Sequence, residues 1–494
     1  MASNSSIQLE LLLKDSIPLF FDHLVSAGTA MAKHALWLSP MPVLVLVFGA
    51  LAYHSVRRVW FQNLVLLGLG FAAAWFRSPL FMGVMLASSI VEWVLASRIF
   101  HEDNASKKST LLWISIGSNL LQLVFLHTHF IVPSLLDGTW LDDPVTLLIA
   151  EAPSFWLFSK ITLSFDAYRG KFDSAPRLLP SLAYMTLFAR LNSAGIPIDR
   201  ARDTLPQLNR TRNWNWSMLE DSGWVALHGL LKLTASHTII GGFYQSLESA
   251  TGFGMYVRCW VFAFDTWLLL SGGIDIAIAG ARLFGIEIRP SFDAPFLSRN
   301  IAEFWQRWSI TVGAWLNEEV FTPLSFAWRN LGNLGISAAC FVTFIGCGLA
   351  HEVNWPNFLW GVILGGGMAV YLVTRRWTKK FSKSLGNPKW LEVCAVVLTM
   401  HLFVLAEIPD GENMVAPVLA TFKGMVSSGN TMGGATPGQW VVALLACGGC
   451  MVFQIVHRRF GGDFWMRSFK PLPRIAIGVF LVGLGLLLST LVWA

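Results

Sequence analysis

Runs of about 20 apolar residues, the length a helix needs to cross the hydrocarbon core of a bilayer, recur along the chain. They centre on residues 41–56, 60–76, 79–97, 111–133, 145–165, 178–195, 222–241, 258–280, 333–350, 357–373, 390–406, 438–456 and 475–493. Lipid offers no hydrogen-bond partner to an exposed backbone N–H or C=O, so these runs predict an all-α polytopic membrane protein. Composition agrees. Charged residues make up 13% and hydrophobic residues 54%, whereas soluble domains carry about 25% charged residues. The mean hydropathy is +0.54. The 23 Trp and 36 Phe suit interfaces and lipid-facing surfaces. The net charge of +6 reads as basic cytoplasmic loops and gives no sign of a nucleic-acid partner; membrane lipids are the expected surroundings.

Basic loops mark the cytoplasmic side. The clearest are 98–108, 375–389 and 457–474, whereas 135–144 and 407–437 are acidic and read as extracytoplasmic. The C-terminus is then expected outside. One place breaks the alternation. "RGKFDSAPR" (169–177) and "RARDTLPQLNRTR" (200–212) are both basic, with a single apolar run between them. Either that run is re-entrant, which is tolerated where protein encloses it, or one basic loop is not cytoplasmic. Residues 7–35 read as an amphipathic or first membrane helix. No basic stretch precedes them, so no cleaved signal peptide is expected. No internal repeat is evident, which argues against a transporter. The six cysteines, including the C-x-x-C of Cys447 and Cys450, lie in or beside apolar runs and read as packing residues. No metal site is expected.

The segment "IAEFWQRWSITVGAWLNEE" (301–319) is unusually polar for its surroundings. Read as one helix from about 299 to 320, it puts Phe304, Trp308 and Trp315 near one face and Ser309, Gly313 and Asn317 on another. Glu303 and Arg307 stand i, i+4 in the favourable order. The polar stripe suits either close helix packing or the wall of a cavity. Further on, "FIGCGLAHEVNWPNFLWG" places His351 and Glu352 at the end of one apolar run, with Pro356 stopping it. An ionisable residue at membrane depth is a functional suspect. His127, His129, His228, His237 and His401 compete, but no H-E-x-x-H or G-x-S-x-G pattern appears.

The run "SGGIDIAIAGARLFGIEIRPSFDAPFLSRNIAEFWQRWSITVGAWLNEEVFTPL" (271–324) resembles the membrane-bound O-acyltransferase superfamily, in its alginate O-acetylation and teichoic-acid D-alanylation branch. "GLAHEVNWPNFLWG" (348–361) resembles the family's second hallmark run. "SFWLFSKITLSFDAYRGK" (154–171), "LFARLNSAGIPIDRARDTLPQL" (187–208) and the stretch at 398–425 are similar to family segments in the same order. The resemblance implies a ring of about 11–13 transmembrane and re-entrant helices around a central cavity. Its core would span 111–430, flanked by transmembrane helices at 1–110 and 431–494. It implies transfer of an acyl group, acetyl being the expected one, from a thioester donor (acetyl-CoA or an acyl-carrier protein) to a hydroxyl of an envelope or secreted glycan. No bound cofactor is expected. A bacterial inner membrane and an extracytoplasmic acyl-transfer or polysaccharide-assembly partner are expected. His351 matches the family's catalytic His, with the implied role of general base. Ser309 stands where close relatives carry a second His. Asp275, Trp305, Arg307, Trp308, Gly313, Asn317, Glu352, Asn354 and Trp355 are the further candidates for the cavity. The chain departs from the pattern at Ser309, at "LNEEVFTPL", at Ala350 and Glu352, and at "LAEIP", which lacks the family Arg. A lipid or small-molecule O-acyltransferase and a non-catalytic acyl-passing subunit are the alternatives.

Overall fold

The computed structural model describes residues 40–126, 156–192, 198–213, 215–386, 388–410, 415–426, 429, 431–460 and 478. All regular structure among them is helical. Helices α1 (Pro40–Ser55), α2 (Val59–Arg77), α3 (Pro79–His101), α4 (Ala105–Leu126) and α5 (Trp156–Tyr168) come first. Three short helices follow: α6 (Leu178–Met185), α7 (Phe188–Asn192) and α8 (Ala201–Leu208). Helix α9 (Trp216–Thr234) runs through a π-helical turn, Ala235–Ile240, into α10 (Gly241–Ser246), and α11 is Phe253–Leu283. Then come α12 (Ile301–Trp305), α13 (Ile310–Leu316), a second π-helical turn at Asn317–Phe321, and α14 (Thr322–Ala327). The chain continues with α15 (Gly332–His351), α16 (Trp355–Ser384), α17 (Lys389–Asp410), α18 (Val415–Met425) and α19 (Pro437–Phe460).

Eight helices among the described residues are long and apolar enough to cross a membrane: α2, α3, α4, α11, α15 with the turn before it, α16, α17 and α19. The chain is a multi-pass membrane protein. Of the other sequence expectations, the helix at 7–35, the acidic loop 135–144, His127 and His129 lie outside the described residues. So do most of the span at 475–493, half of that at 145–165, and parts of the loops 407–437 and 457–474.

The charges within the first helices are satisfied by the bundle. Glu92 of α3, almost wholly buried, accepts from Ser115 (2.8 Å) and Asn119 (2.7 Å) of α4 and from Ser164 of α5. Lys160 of α5 donates to Ser88 and to Gln122 (3.2 Å). Such groups stay in an apolar bundle only when every one of them finds a partner.

The broken alternation has a structural resolution. The apolar run after residue 177 is split at Thr186–Leu187 into α6 and α7. At 8 and 5 residues they extend about 12 Å and 8 Å, far short of the roughly 30 Å hydrocarbon core. Arg169 before the run and Arg200 after it both bind Glu319. The two basic stretches therefore share one side, and the described helices between them re-enter rather than span. The second basic stretch is held by polar anchors: the Asn63 amide donates to the Leu208 carbonyl (2.9 Å) and Gln62 to that of Arg212 (2.7 Å).

Candidate active site

His351 is the last residue of α15. The helix ends there because the chain turns at once into α16, whose N-cap Asn354 accepts the Asn357 backbone N–H at 2.8 Å and whose second residue is Pro356. The hairpin is tight because small residues line it. A Cβ on Gly361 would stand 2.6 Å from the Phe344 carbonyl oxygen and 2.7 Å from Ile345 Cα. Gly348 faces the Asn357 carbonyl just as closely. This packing lays the His351 ring against that of Trp360, with centroids 5.1 Å apart and planes tilted by 36°. Trp360 is 3% exposed. Its indole N–H donates to Glu407 of α17 at 3.1 Å, and the edge of Trp305 approaches its ring at 5.8 Å. Trp305 thus joins His351 around Trp360. Glu352 accepts from the Asn354 amide (2.8 Å) in the turn itself, while Trp355 is 68% exposed and meets Phe358 edge-on.

The segment 301–319 is not the single helix that its sequence suggests. Helix α12 stops at Trp305, and Ser309 adopts a left-handed backbone (φ 45°, ψ 51°) before α13 begins. The break falls before the polar stripe: the Gly313 N–H donates to the Ser309 carbonyl at 2.9 Å, and the Asn317 N–H to the Gly313 carbonyl, so Ser309 caps the helix that carries the other two. The turn is held by the loop before it: the Asp293 N–H donates to the Arg307 carbonyl (2.9 Å) and the Ile310 N–H to the Ser291 carbonyl (2.7 Å). Ser291 and Thr311 share a hydroxyl hydrogen bond of 3.0 Å. Ala294 in that loop is also left-handed (φ 47°), and Ala294 and Ser309 are the two such non-glycine residues among those described. Strained backbone of this kind persists only where its surroundings enforce it, and it gathers at functional sites. Here the enforcement comes from aromatic packing. Trp308 is buried against Phe304 (5.4 Å), Phe292 (5.1 Å) and Phe403 (4.7 Å). Trp315 belongs to a separate contact, with Phe158 at 4.9 Å. Arg307 pairs with Glu303. Gly313 lies under the Trp305 carbonyl, where a Cβ would sit at 3.4 Å.

Asp275 lies on the far side of this loop, paired with Lys232 of α9 at 2.7 Å. The two border a cavity of about 10 Å³ with Ser291, Gln454 and His457, room for about one water. Asn317 is exposed and its carbonyl accepts the Thr322 hydroxyl at 2.7 Å. Its neighbours are the residues that sequence reasoning missed. Glu318 and Glu319, displayed by the π-helical turn, bind three arginines. Arg202 grips Glu318 with both terminal nitrogens (2.8 and 2.9 Å). Arg169 reaches Glu318 at 3.0 Å and Glu319 at 2.7 Å. Arg200 reaches Glu318 at 2.8 Å and also binds Glu319. Hydrogen bonds from Arg202, helped by the charges of Arg200 and Arg169, hold the Glu318 carboxyl down to about 2. Burial pushes Asp166, which accepts the Arg202 backbone N–H at 2.9 Å, up to about 6. The sequence carried the components, two adjacent acids and two basic runs flanking one apolar run, without a pattern that paired them.

Comparison with known proteins gives this arrangement its context. The chain is 25% identical over 380 residues to the probable alginate O-acetylase AlgI of Azotobacter vinelandii, covering 74% of this chain and 73% of that one. It is 24% identical over 398 residues to the peptidoglycan O-acetyltransferase of Helicobacter pylori, again covering 74% and 73%. It is 25% identical over 277 residues to the teichoic acid D-alanyltransferase of Bacillus subtilis, covering 52% and 67%. These relatives are members of the membrane-bound O-acyltransferase superfamily, which the chain resembles. Through that similarity the chain is an acyltransferase. No family model matches the chain. For an O-acyltransferase, the useful features of this site are a histidine at a helix end, an aromatic wall beside it, and a re-entrant segment clamped from both sides.

Proposed function

We propose that the protein transfers an acyl group, acetyl in the first instance, from a thioester to a hydroxyl of a cell-envelope or secreted polysaccharide, with His351 as general base. The placement of His351 carries this reading. It closes α15 in the run that resembles the superfamily's catalytic one, half-buried, with its ring fixed against Trp360. The relatives named as alginate and peptidoglycan O-acetyltransferases support the acceptor class.

The chemistry balances without a cofactor. The acceptor hydroxyl oxygen attacks the thioester carbonyl carbon while an imidazole nitrogen of His351 takes the hydroxyl proton. The tetrahedral intermediate collapses, the C–S bond breaks, and the departing thiolate takes the proton from the imidazolium. An ester and a free thiol result. Ser309 cannot act as a second base near neutrality, although its hydroxyl can donate or accept a hydrogen bond. The donor, acetyl-CoA or an acyl-carrier protein, approaches from the cytoplasmic side. The acceptor and a secreted or assembly partner stand on the other side of a bacterial inner membrane.

The test uses purified protein, radiolabelled acetyl-CoA, and alginate oligosaccharides or peptidoglycan fragments as acceptors. Label should pass to a glycan, and His351→Ala should abolish transfer while its elution profile and thermal midpoint stay near wild type. Transfer retained in His351→Ala overturns the assignment of the base.

A further inference from the structure

We infer that Glu407 is a positioning residue for His351, acting through the indole of Trp360; the inference rests on the acyl-transfer reading above. Glu407 lies near the end of α17, in "LAEIP", and is 3% exposed. A carboxylate at that depth is costly unless it is held in place. One of its oxygens receives the Trp360 indole N–H at 3.1 Å. It also borders a cavity of about 30 Å³ with Arg258, Tyr244 and Thr421, so a cation shares its surroundings. Trp360 in turn packs against the His351 ring, with centroids 5.1 Å apart and planes tilted by 36°, and meets Trp305 in a T-shaped contact at 5.8 Å.

The geometry forms a chain with few alternatives. An indole has one N–H, so the Glu407 acceptor fixes the rotation of the Trp360 ring. That ring is the surface against which the imidazole lies. His351 is the last residue of its helix and is followed by an extended residue, Glu352 (φ −162°). The contact with the Trp360 ring is one of the interactions that set the orientation of the imidazole. Without the acceptor, the indole plane turns and the imidazole loses the face that aims it at the reacting hydroxyl. Misplacement by about 1 Å can cost about 10²-fold in rate.

Three variants of the full-length protein test this. Glu407→Gln keeps a carbonyl oxygen for the indole N–H. Glu407→Leu removes it with an apolar residue of similar size, and Trp360→Phe keeps a ring face without the N–H. With acetyl-CoA and the glycan fragments above, kcat should fall about 10²-fold in Glu407→Leu and Trp360→Phe, with KM for acetyl-CoA unchanged. Glu407→Gln should stay within about threefold of wild type, because the hydrogen bond survives. The Leu/Phe double variant should be no worse than either single one. An activity-independent readout is the rate at which diethyl pyrocarbonate modifies His351, followed by peptide mass spectrometry. It should rise several-fold in Glu407→Leu and stay at the wild-type rate in Glu407→Gln. A wild-type modification rate in Glu407→Leu, Gln as damaging as Leu, or losses confined to KM would overturn the inference. Absence of transfer by the wild type, or transfer by His351→Ala, strikes the acyl-transfer reading instead and leaves the modification result to be read by itself.

Discussion

Replacing Glu319 by Gln should destabilise the protein more than replacing Glu318, although Glu318 makes more bonds. Glu319 offers one oxygen to Arg169 (2.7 Å) and to Arg200, and its side chain is 1% exposed, against 31% for Glu318. Each charge-assisted bond is worth about 1.5–3 kcal/mol; Gln keeps an acceptor oxygen and loses the charge, so about 3–6 kcal/mol for the two bonds is an upper bound on the gross loss. Glu318 remains against both arginines, at 3.0 and 2.8 Å, and offsets part of that. Removing one partner of a buried pair costs about 3–5 kcal/mol, so about 3 kcal/mol is the expected net loss for Glu319→Gln. At the more exposed Glu318, water screens the pairs, and about 1 kcal/mol is expected despite the bidentate Arg202. Thermal unfolding in detergent, followed by tryptophan fluorescence, reads the difference. At about 2 °C per kcal/mol for a large chain, the midpoint should fall by roughly 6 °C in Glu319→Gln and by roughly 2 °C in Glu318→Gln. Equal shifts, or the reverse order, would refute the premise that burial rather than the number of bonds sets the strength of this cluster.

Three further outcomes are expected. In the α15–α16 hairpin, Gly361→Ala forces a Cβ to 2.6 Å from the Phe344 carbonyl; it should cost about 1–3 kcal/mol and lower transfer as His351 shifts. Gly366→Ala, which meets nothing within 4 Å, should leave both thermal midpoint and transfer unchanged. At the left-handed turn, Ser309→Asn should be at least as stable as wild type, because Asn tolerates that backbone, and Ser309→Val should lower the thermal midpoint. Glu318, ordinarily near 4.5 and held at about 2 in the fold, contributes stability that is complete above pH 4.5 and is lost as pH falls toward 2. Asp166, raised from 3.8 to about 6, runs the other way, its contribution being greatest below pH 3.8 and lost as pH rises through 6. Glu318→Gln should therefore flatten the acid limb of a stability–pH curve and leave the limb between pH 4 and 6 in place.

The membrane helices were legible because twenty apolar residues in a row have few other uses. The helix end at His351 was legible for a local reason too: Pro356, five residues on, cannot continue the helix, and the structure adds Asn354 as the cap of the next one. Residues 301–319 were misread as one helix because helical periodicity assumes an unbroken helix. The left-handed Ser309 is imposed by the aromatic packing of Trp308 and by backbone bonds to Ser291 and from Asp293, and the π-helical turn presents Glu318 and Glu319 to arginines more than a hundred residues earlier. No pattern local to 301–319 encodes either contact. The same holds for Glu407, whose partner Trp360 belongs to another helix. In "LAEIP" the absent Arg drew notice, and the Glu that carries the contact did not.

The two irregularities in 301–331 also explain each other's position. A continuous helix through this segment would turn Glu318 and Glu319 on the same screw as Trp305 and Trp308. The left-handed residue at 309 resets the direction of the chain after Trp308 has been locked into its aromatic cluster. The π-helical turn then changes the angular phase once more, one extra residue per turn being enough to bring adjacent acids onto the arginine side. The segment can therefore face His351 through Trp305 at one end and the basic stretches 169–177 and 200–212 at the other. A stiff straight helix, about 1.5 Å per residue along one axis, offers no such pair of independent faces. The break at Ser309 lies between those two contacts, where any movement of the arginine-bound end relative to the Trp305 end would have to hinge.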